Sequence, residues 1–209
     1  MQEFSNTHLW KSRGYLPHYH ADEKYQMIAY RLADSIPQKL MKEFKEEYNN
    51  KELVHERRKF IEENLDKGYG SCILQNPIIA EILVNNWLHF HRKRYDLKSF
   101  VVMPNHIHLL IKVYPENSLS KIVHSWKSYT SNMIKGIISN TLPGNSTKIW
   151  QAEYWDRFIR DDKHFHSSVN YIHSNPSKAG LVSSPELWQW SSANAKYESR
   201  LAVCGPGKS

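Results

Sequence analysis

His106 and His108 stand two residues apart in the run Ser99-Phe-Val-Val-Met-Pro-Asn-His-Ile-His-Leu-Leu-Ile-Lys-Val113. Two imidazoles at that spacing can hold one metal ion if the backbone is extended, because alternate side chains of a strand share a face. The residues after Pro104 are β-branched or large and apolar, which favours a strand. A satisfied sheet histidine or half of a structural zinc site are the other roles open to such a pair. Of the twelve histidines, His18/His20, His89/His91 and His164/His166 repeat the triplet. The first lies in a loop after Pro17, and the other two fall on stretches with helical spacing, where residues two apart splay. Only the pair at 106 and 108 has a backbone suited to chelation.

Tyr171 and Asn175 supply a second chemistry. They sit one helical turn apart and therefore on one face. A tyrosine hydroxyl can attack a phosphodiester when a cation neutralises the phosphate and eases loss of the phenolic proton. An amide at position 175 could hold that cation beside the phenol. Two imidazoles and an amide oxygen suit Mn2+ better than Mg2+ by ligand softness, and leave positions open for substrate oxygens. The same residues also fit a tyrosine packed at the rim of a core and an asparagine ending a helix before proline.

The elements that must position these groups follow from periodicity. Residues 25–32 read as a first strand, and 38–67 as one or two helices with a narrow apolar stripe (Leu40, Met41, Phe44, Tyr48, Leu53, Phe60) and a solvated Glu/Lys face. Asn76-Pro77 caps and opens a helix running to about residue 94. Strands over 97–103 and 106–114, joined by Pro104-Asn105, form an antiparallel hairpin. Ser118 opens a helix to about residue 140, with Leu119, Ile122, Val123, Trp126, Tyr129, Met133 and Ile137 as its stripe. Residues 149–159 are extended. A last helix from 161 must stop near Asn175 because Pro176 follows. Trp188-Gln-Trp-Ser-Ser192 packs back on the body, and 202–209 is a frayed tail. The fold class expected is α+β, an antiparallel sheet flanked by helices, in a single domain over 1–209 with a helical insertion at 38–67.

Composition narrows the setting. The 209 residues can bury a sizeable core, and 40% hydrophobic content argues against disorder. A net charge of +7 suits a polyanionic partner. Most of the seven Trp and twelve Tyr belong to the core, and any on the surface could stack unpaired bases. The two cysteines, Cys72 and Cys204, make neither a zinc motif nor a disulfide framework. With no apolar signal core in 1–16 and no membrane-length apolar run, a cytoplasmic protein without membrane contact is expected.

Met103-Pro-Asn-His-Ile-His-Leu-Leu110 resembles the histidine-hydrophobe-histidine signature of the HUH single-tyrosine transposases. Val169-Asn-Tyr-Ile-His-Ser-Asn-Pro-Ser-Lys-Ala-Gly-Leu-Val182 is similar to the tyrosine helix of one branch, the REP-associated tyrosine transposases. Arg13-Gly-Tyr-Leu-Pro-His18, Ile149-Trp-Gln with Asp156-Arg-Phe-Ile-Arg-Asp161, and Trp188-Gln-Trp-Ser-Ser192 match the same branch in order, so the resemblance spans about 13–193. It implies an HUH, ferredoxin-like fold, His106, His108 and Asn175 as ligands of Mg2+ or Mn2+, and Tyr171 as nucleophile. The implied activity is cutting and rejoining single-stranded DNA at palindromic repeat hairpins through a 5′-phosphotyrosine link, by a monomer or homodimer. It also implies that Lys11, Arg13 and His18 read a short guide sequence. Arg157, Arg160, Lys163 and Lys178, flanking the tyrosine helix, could hold the DNA backbone, and Arg92-Lys93-Arg94 is the densest basic cluster; each of these also fits a solvated surface. Asn170 departs from the acidic residue common before the nucleophile, the first strand matches loosely, and the 38–67 insertion is typical of some members only. Two other readings are a hairpin-binding protein that has lost strand transfer and a small hydrolase using the histidine pair without Tyr171.

Overall fold

The computed structural model describes residues 10–12, 17–19, 24–47, 54–138 and 148–202. Its centre is a four-stranded antiparallel sheet in the order β4-β5-β3-β6, built from β3 (Tyr25–Arg31), β4 (Tyr95–Val102), β5 (His106–Val113) and β6 (Trp155–Phe158). Both central strands, β5 and β3, are almost wholly buried, as their apolar runs require. Two short strands precede the expected first one: β1 (Trp10–Ser12) and β2 (Pro17–Tyr19) pair as a separate ribbon. His18 is thus in a strand rather than a loop, opposite Lys11, because a two-strand register absorbs the backbone groups that Pro17 leaves in extended conformation.

The sheet separates two cores. On one face Ile28, Tyr30, Phe100, Val102, Ile107, Leu109 and Ile111 pack with α3 (Pro77–Phe90) and α4 (Leu119–Ile138). On the other, Met27, Val101, Met103 and Leu110 meet Ile172 of α5 (Asp162–Lys178). A register shift between Leu97 and Ser99 lets Leu97 and Phe100 share a face although they are three apart. The aromatic residues are mainly core: Trp87 Nε1 donates to Tyr30 Oη (3.2 Å), Tyr95 Oη to the Trp87 carbonyl (2.7 Å), and Trp126 meets the rings of both Trp87 and Tyr95 edge-on.

The helical insertion is two helices, α1 (Gln38–Glu47) and α2 (Val54–Leu65), joined through a stacked Phe44–Phe60 pair at 4.9 Å. Asn76 caps α3 as expected, its Oδ1 accepting from the Ile78 amide at 2.9 Å. That helix ends at Phe90 instead of residue 94: Arg92 takes a left-handed φ of 65° and its amide donates to the Tyr95 carbonyl, turning the chain at once into β4. In α4 the inward stripe continues through Thr130 and Ile134, while Tyr129 and Met133 are exposed, so those two are not core residues. The stripe follows Leu119, Ile122, Val123 and Trp126 at strict helical spacing, and positions 129 and 133 fall beside it.

The last helix also differs from expectation. α5 runs through Pro176 to Lys178. Proline removes one amide but leaves its carbonyl usable, and Pro176 O accepts from Leu181 while Gly180, at φ 71°, turns the chain out. Of the expected extended segment 149–159, only β6 forms a ladder, with Trp150 bridging Leu32. Beyond it, Trp188-Gln-Trp-Ser-Ser192 covers the outer edge of β4: Trp190 O accepts from the Val102 amide (2.9 Å), and the Ser192 amide donates to Phe100 O (3.0 Å). A short α6 (Glu198–Leu201) ends the described chain; most of the expected tail, 203–209, lies outside the described residues, as does Arg13.

Candidate active site on β5 and α5

β5 pairs with both neighbours so that His108 faces Ala29 and Val101, and His106 faces Arg31. These residues therefore project from the α5 side of the sheet. The two imidazoles stand with ring centroids 5.0 Å apart and planes at 87°. Both are buried, at 2% and 3% exposure. The Tyr171 ring of α5 meets the His108 ring edge-on at 5.3 Å, and the half-buried tyrosine is covered by Lys178, whose Nζ lies 5.4 Å from its centroid. Asn175, one turn on from Tyr171, is buried at 5% exposure, and its amide nitrogen has no hydrogen-bond partner.

His106 is oriented from behind. The Asn105 side-chain amide donates to the carbonyls of Leu65 (3.1 Å) and Tyr69 (3.2 Å), which leaves its oxygen 2.8 Å from His106 Nδ1. An amide oxygen only accepts, so Nδ1 carries the hydrogen and the lone pair sits on Nε2. Burial, reinforced by the Arg31 guanidinium, pushes the His106 imidazolium down to about 3 and keeps the ring neutral. A neutral imidazole with its second nitrogen tied to an acceptor is the form a metal binds.

The donor set fits a divalent cation. Two imidazoles share a face, and turning the Asn175 amide by half a rotation presents its oxygen where the unpartnered nitrogen now stands. Two nitrogens and one oxygen suit Mn2+ more than Mg2+. Among the described residues no group of three His, Cys, Asp or Glu is placed to hold a metal, so no competing centre arises there.

The basic residues divide. Lys178 is at the site, over Tyr171. Arg157 lies exposed on β6 opposite Met27, and Arg160 and Lys163 are exposed before and within the first turn of α5. Lys11 and His18 pair in the ribbon, and β2 of that ribbon contacts β6. Arg92, Lys93 and Arg94 occupy the turn before Tyr95, which pairs with Val113 at the other end of β5 from His106. Seven residues of strand put that cluster about 23 Å from His106. His91 and His164 are not ligand candidates: the first accepts from the Leu97 amide (2.9 Å), the second from Arg160 N (3.3 Å). Two residues of this region escaped the sequence reading. Asn105 reads from sequence only as part of a tight turn, although it adjoins His106 in the motif. Arg31 is a lone cation at the end of an otherwise apolar strand, which is itself a signal.

Residues 53–175 match the family model described as Transposase IS200 like. The chain belongs to that family. Over 113 residues it is 31% identical to a Haemophilus influenzae protein named for the REP-associated tyrosine transposases, a match covering 51% of this chain and 64% of that one. With the REP-associated tyrosine transposase of Escherichia coli it shares 28% identity over 97 residues, 46% of this chain and 53% of the relative. These matches thus span less than two thirds of either relative. A REP-associated tyrosine transposase solved bound to a REP hairpin has a TM-score of 0.51 at 17% identity, over 87% of this chain and 81% of that one, which establishes a shared fold. The α+β, antiparallel architecture of this IS200-like family member is therefore that of a known transposase structure. No helix among the described residues is long and apolar enough to cross a membrane.

Proposed function

We propose that this IS200-like family member is a metal-dependent DNA strand transferase that cuts and rejoins single-stranded DNA beside palindromic repeat hairpins. The observation that carries the reading is the Tyr171 ring set 5.3 Å from His108, itself paired with His106, on the one face where β5 and α5 meet. His106, His108 and Asn175 would hold Mg2+ or Mn2+. Bound there, the cation would neutralise the phosphate under attack and ease loss of the phenolic proton.

The chain's own residues then do the following. Asn105 keeps the His106 lone pair outward. Lys178, above the Tyr171 ring, would place a positive charge beside the phosphate under attack. Tyr171 Oη attacks phosphorus; the new bond is phosphorus to tyrosine oxygen, the broken one is phosphorus to the 3′ oxygen, which takes up a proton as the phenol gives one up. The products are a 5′-phosphotyrosine and a free 3′-hydroxyl. One P–O bond replaces another, so the step reverses without a nucleotide cofactor. Because His108 and Tyr171 of the same chain are adjacent, a monomer contains all four groups, and a homodimer need not exchange α5.

Labelled single-stranded hairpin DNA incubated with Mg2+ or Mn2+ and resolved on a denaturing gel tests this. The wild type should give a metal-dependent covalent band that Tyr171→Phe abolishes while retaining hairpin binding. Hairpin binding without adduct would leave a binding protein devoid of strand transfer; adduct surviving in Tyr171→Phe would overturn the nucleophile.

A further inference from the structure

Arg31 ends β3 directly opposite His106 and on the same face of the sheet. It is 9% exposed, and none of its contacts is with an acid. Nη1 donates to Ser35 Oγ (2.9 Å) and more distantly to Leu32 O (3.5 Å), and Nη2 approaches Met41 Sδ (3.7 Å) of α1. All three acceptors are neutral, and a thioether is a weak one. None of these contacts neutralises the guanidinium charge. A guanidinium largely withdrawn from water without a carboxylate partner is costly, and natural folds rarely keep one without a use. Its position beside the histidine pair says what that use is. Arginine presents a planar fork that matches two oxygens of a phosphate.

We infer that Arg31 is an anion-binding residue that takes a phosphodiester oxygen of the strand lying against His106 and His108. This rests on the proposed strand-transfer reading for the identity of the phosphate, but the anion site itself does not. The surroundings support an occupant of that charge. Arg31 stands opposite His106 from β3 with no carboxylate acting on it, while Lys178 overlies the Tyr171 ring from α5 and is in part balanced by the Asp66 carboxylate. Met41 of α1 lies beside Arg31, so the insertion borders the site there as α2 does at Asn105.

The test compares wild type, Arg31→Met and Arg31→Lys as full-length chains. In EDTA, inorganic phosphate should raise the melting temperature of the wild type and leave both variants unmoved, since methionine has no charge and lysine no fork. Without phosphate, Arg31→Met should be as stable as the wild type or more so in urea, because an uncompensated buried cation has been removed. On hairpin DNA with Mn2+, Arg31→Met should slow adduct formation about 100-fold, the scale of losing one positioned electrostatic contact, with Mn2+ affinity retained. A destabilised or unfolded Arg31→Met, or a phosphate shift that survives in both variants, would overturn the inference by giving Arg31 a structural role. If the wild type forms no adduct on any hairpin, the strand-transfer reading fails while the phosphate shift in EDTA still decides the anion site.

Discussion

At the scale of single residues, the site depends on a donor that cannot turn. Asn105 is held by two carbonyls and offers His106 only an acceptor, so the tautomer with its lone pair on Nε2, the nitrogen proposed to bind metal, is fixed by the protein alone. Asn105→Ala should weaken Mn2+ binding roughly 10- to 100-fold, the usual effect of losing such an outer partner, and Asn105→Asp, which keeps the acceptor, should recover most of it; calorimetric titration with Mn2+ reads both. Acid should act at the same place. The folded His106 takes a proton only near pH 3, whereas an unfolded histidine does so at its ordinary value of 6.5. The unfolded chain therefore binds the extra proton first, and the stability this neutral ring contributes above pH 6.5 is lost as pH falls towards 3. Urea unfolding of the metal-free protein at pH 7, 5.5 and 4.5 should show that decline, with a shallower slope in His106→Asn.

At the scale of elements, the parts that hold the site are loops and edges as much as strands. The turn carrying Tyr69 O, one anchor of Asn105, passes through Gly70 at φ 86°, where an added Cβ would lie 2.5 Å from the Asp34 carbonyl oxygen. Gly70→Ala should lower stability by about 2 kcal/mol or more, combining left-handed strain with a backbone clash, and should also weaken Mn2+ binding by displacing the Tyr69 anchor; thermal unfolding and metal titration on one preparation test the coupling. The segment 188–192 plays a different part. It occupies the outer edge of β4 through the Val102 and Phe100 backbone groups, and Trp188 Nε1 adds a bond to Val102 O (2.9 Å). A chain ended at residue 187 would expose an apolar strand edge, so light scattering at fixed concentration should rise against the full chain.

At the scale of the whole molecule, the net charge of +7 is spread over more than the proposed catalytic face. Arg92, Lys93 and Arg94 lie at the opposite end of β4 and β5 from the histidines. If they touch DNA, they touch the hairpin rather than the strand being cut. Replacing all three with Gln should weaken hairpin binding and reduce the slope of log affinity against log salt by up to about 3, near 0.9 per lost phosphate contact. The single-turnover rate of adduct formation at saturating DNA should not change. A fall in that rate with unchanged affinity would move the cluster into the active site's influence, against its position in the sheet.

How much of this was legible beforehand follows from what kind of geometry each feature needs. That His106 shares a face with His108, and Tyr171 with Asn175, is set by the periods of strand and helix, which are properties of the local backbone, so sequence alone determined both halves of the candidate site and the antiparallel α+β class. Sequence alone misplaced the end of the tyrosine helix, because the rule that proline stops a helix ignores what packing can hold: Ile172 and Pro176 are buried, and α5 continues to Lys178. The tertiary structure decided that α5 lies across β5 with Tyr171 against His108, that α2 and the Tyr69 turn grip Asn105, and that the strand register sets Arg31 opposite His106. None of these is local. Each depends on which apolar faces, far apart in the chain, bury one another, and periodicity tells a residue which face it shares but not what that face will meet.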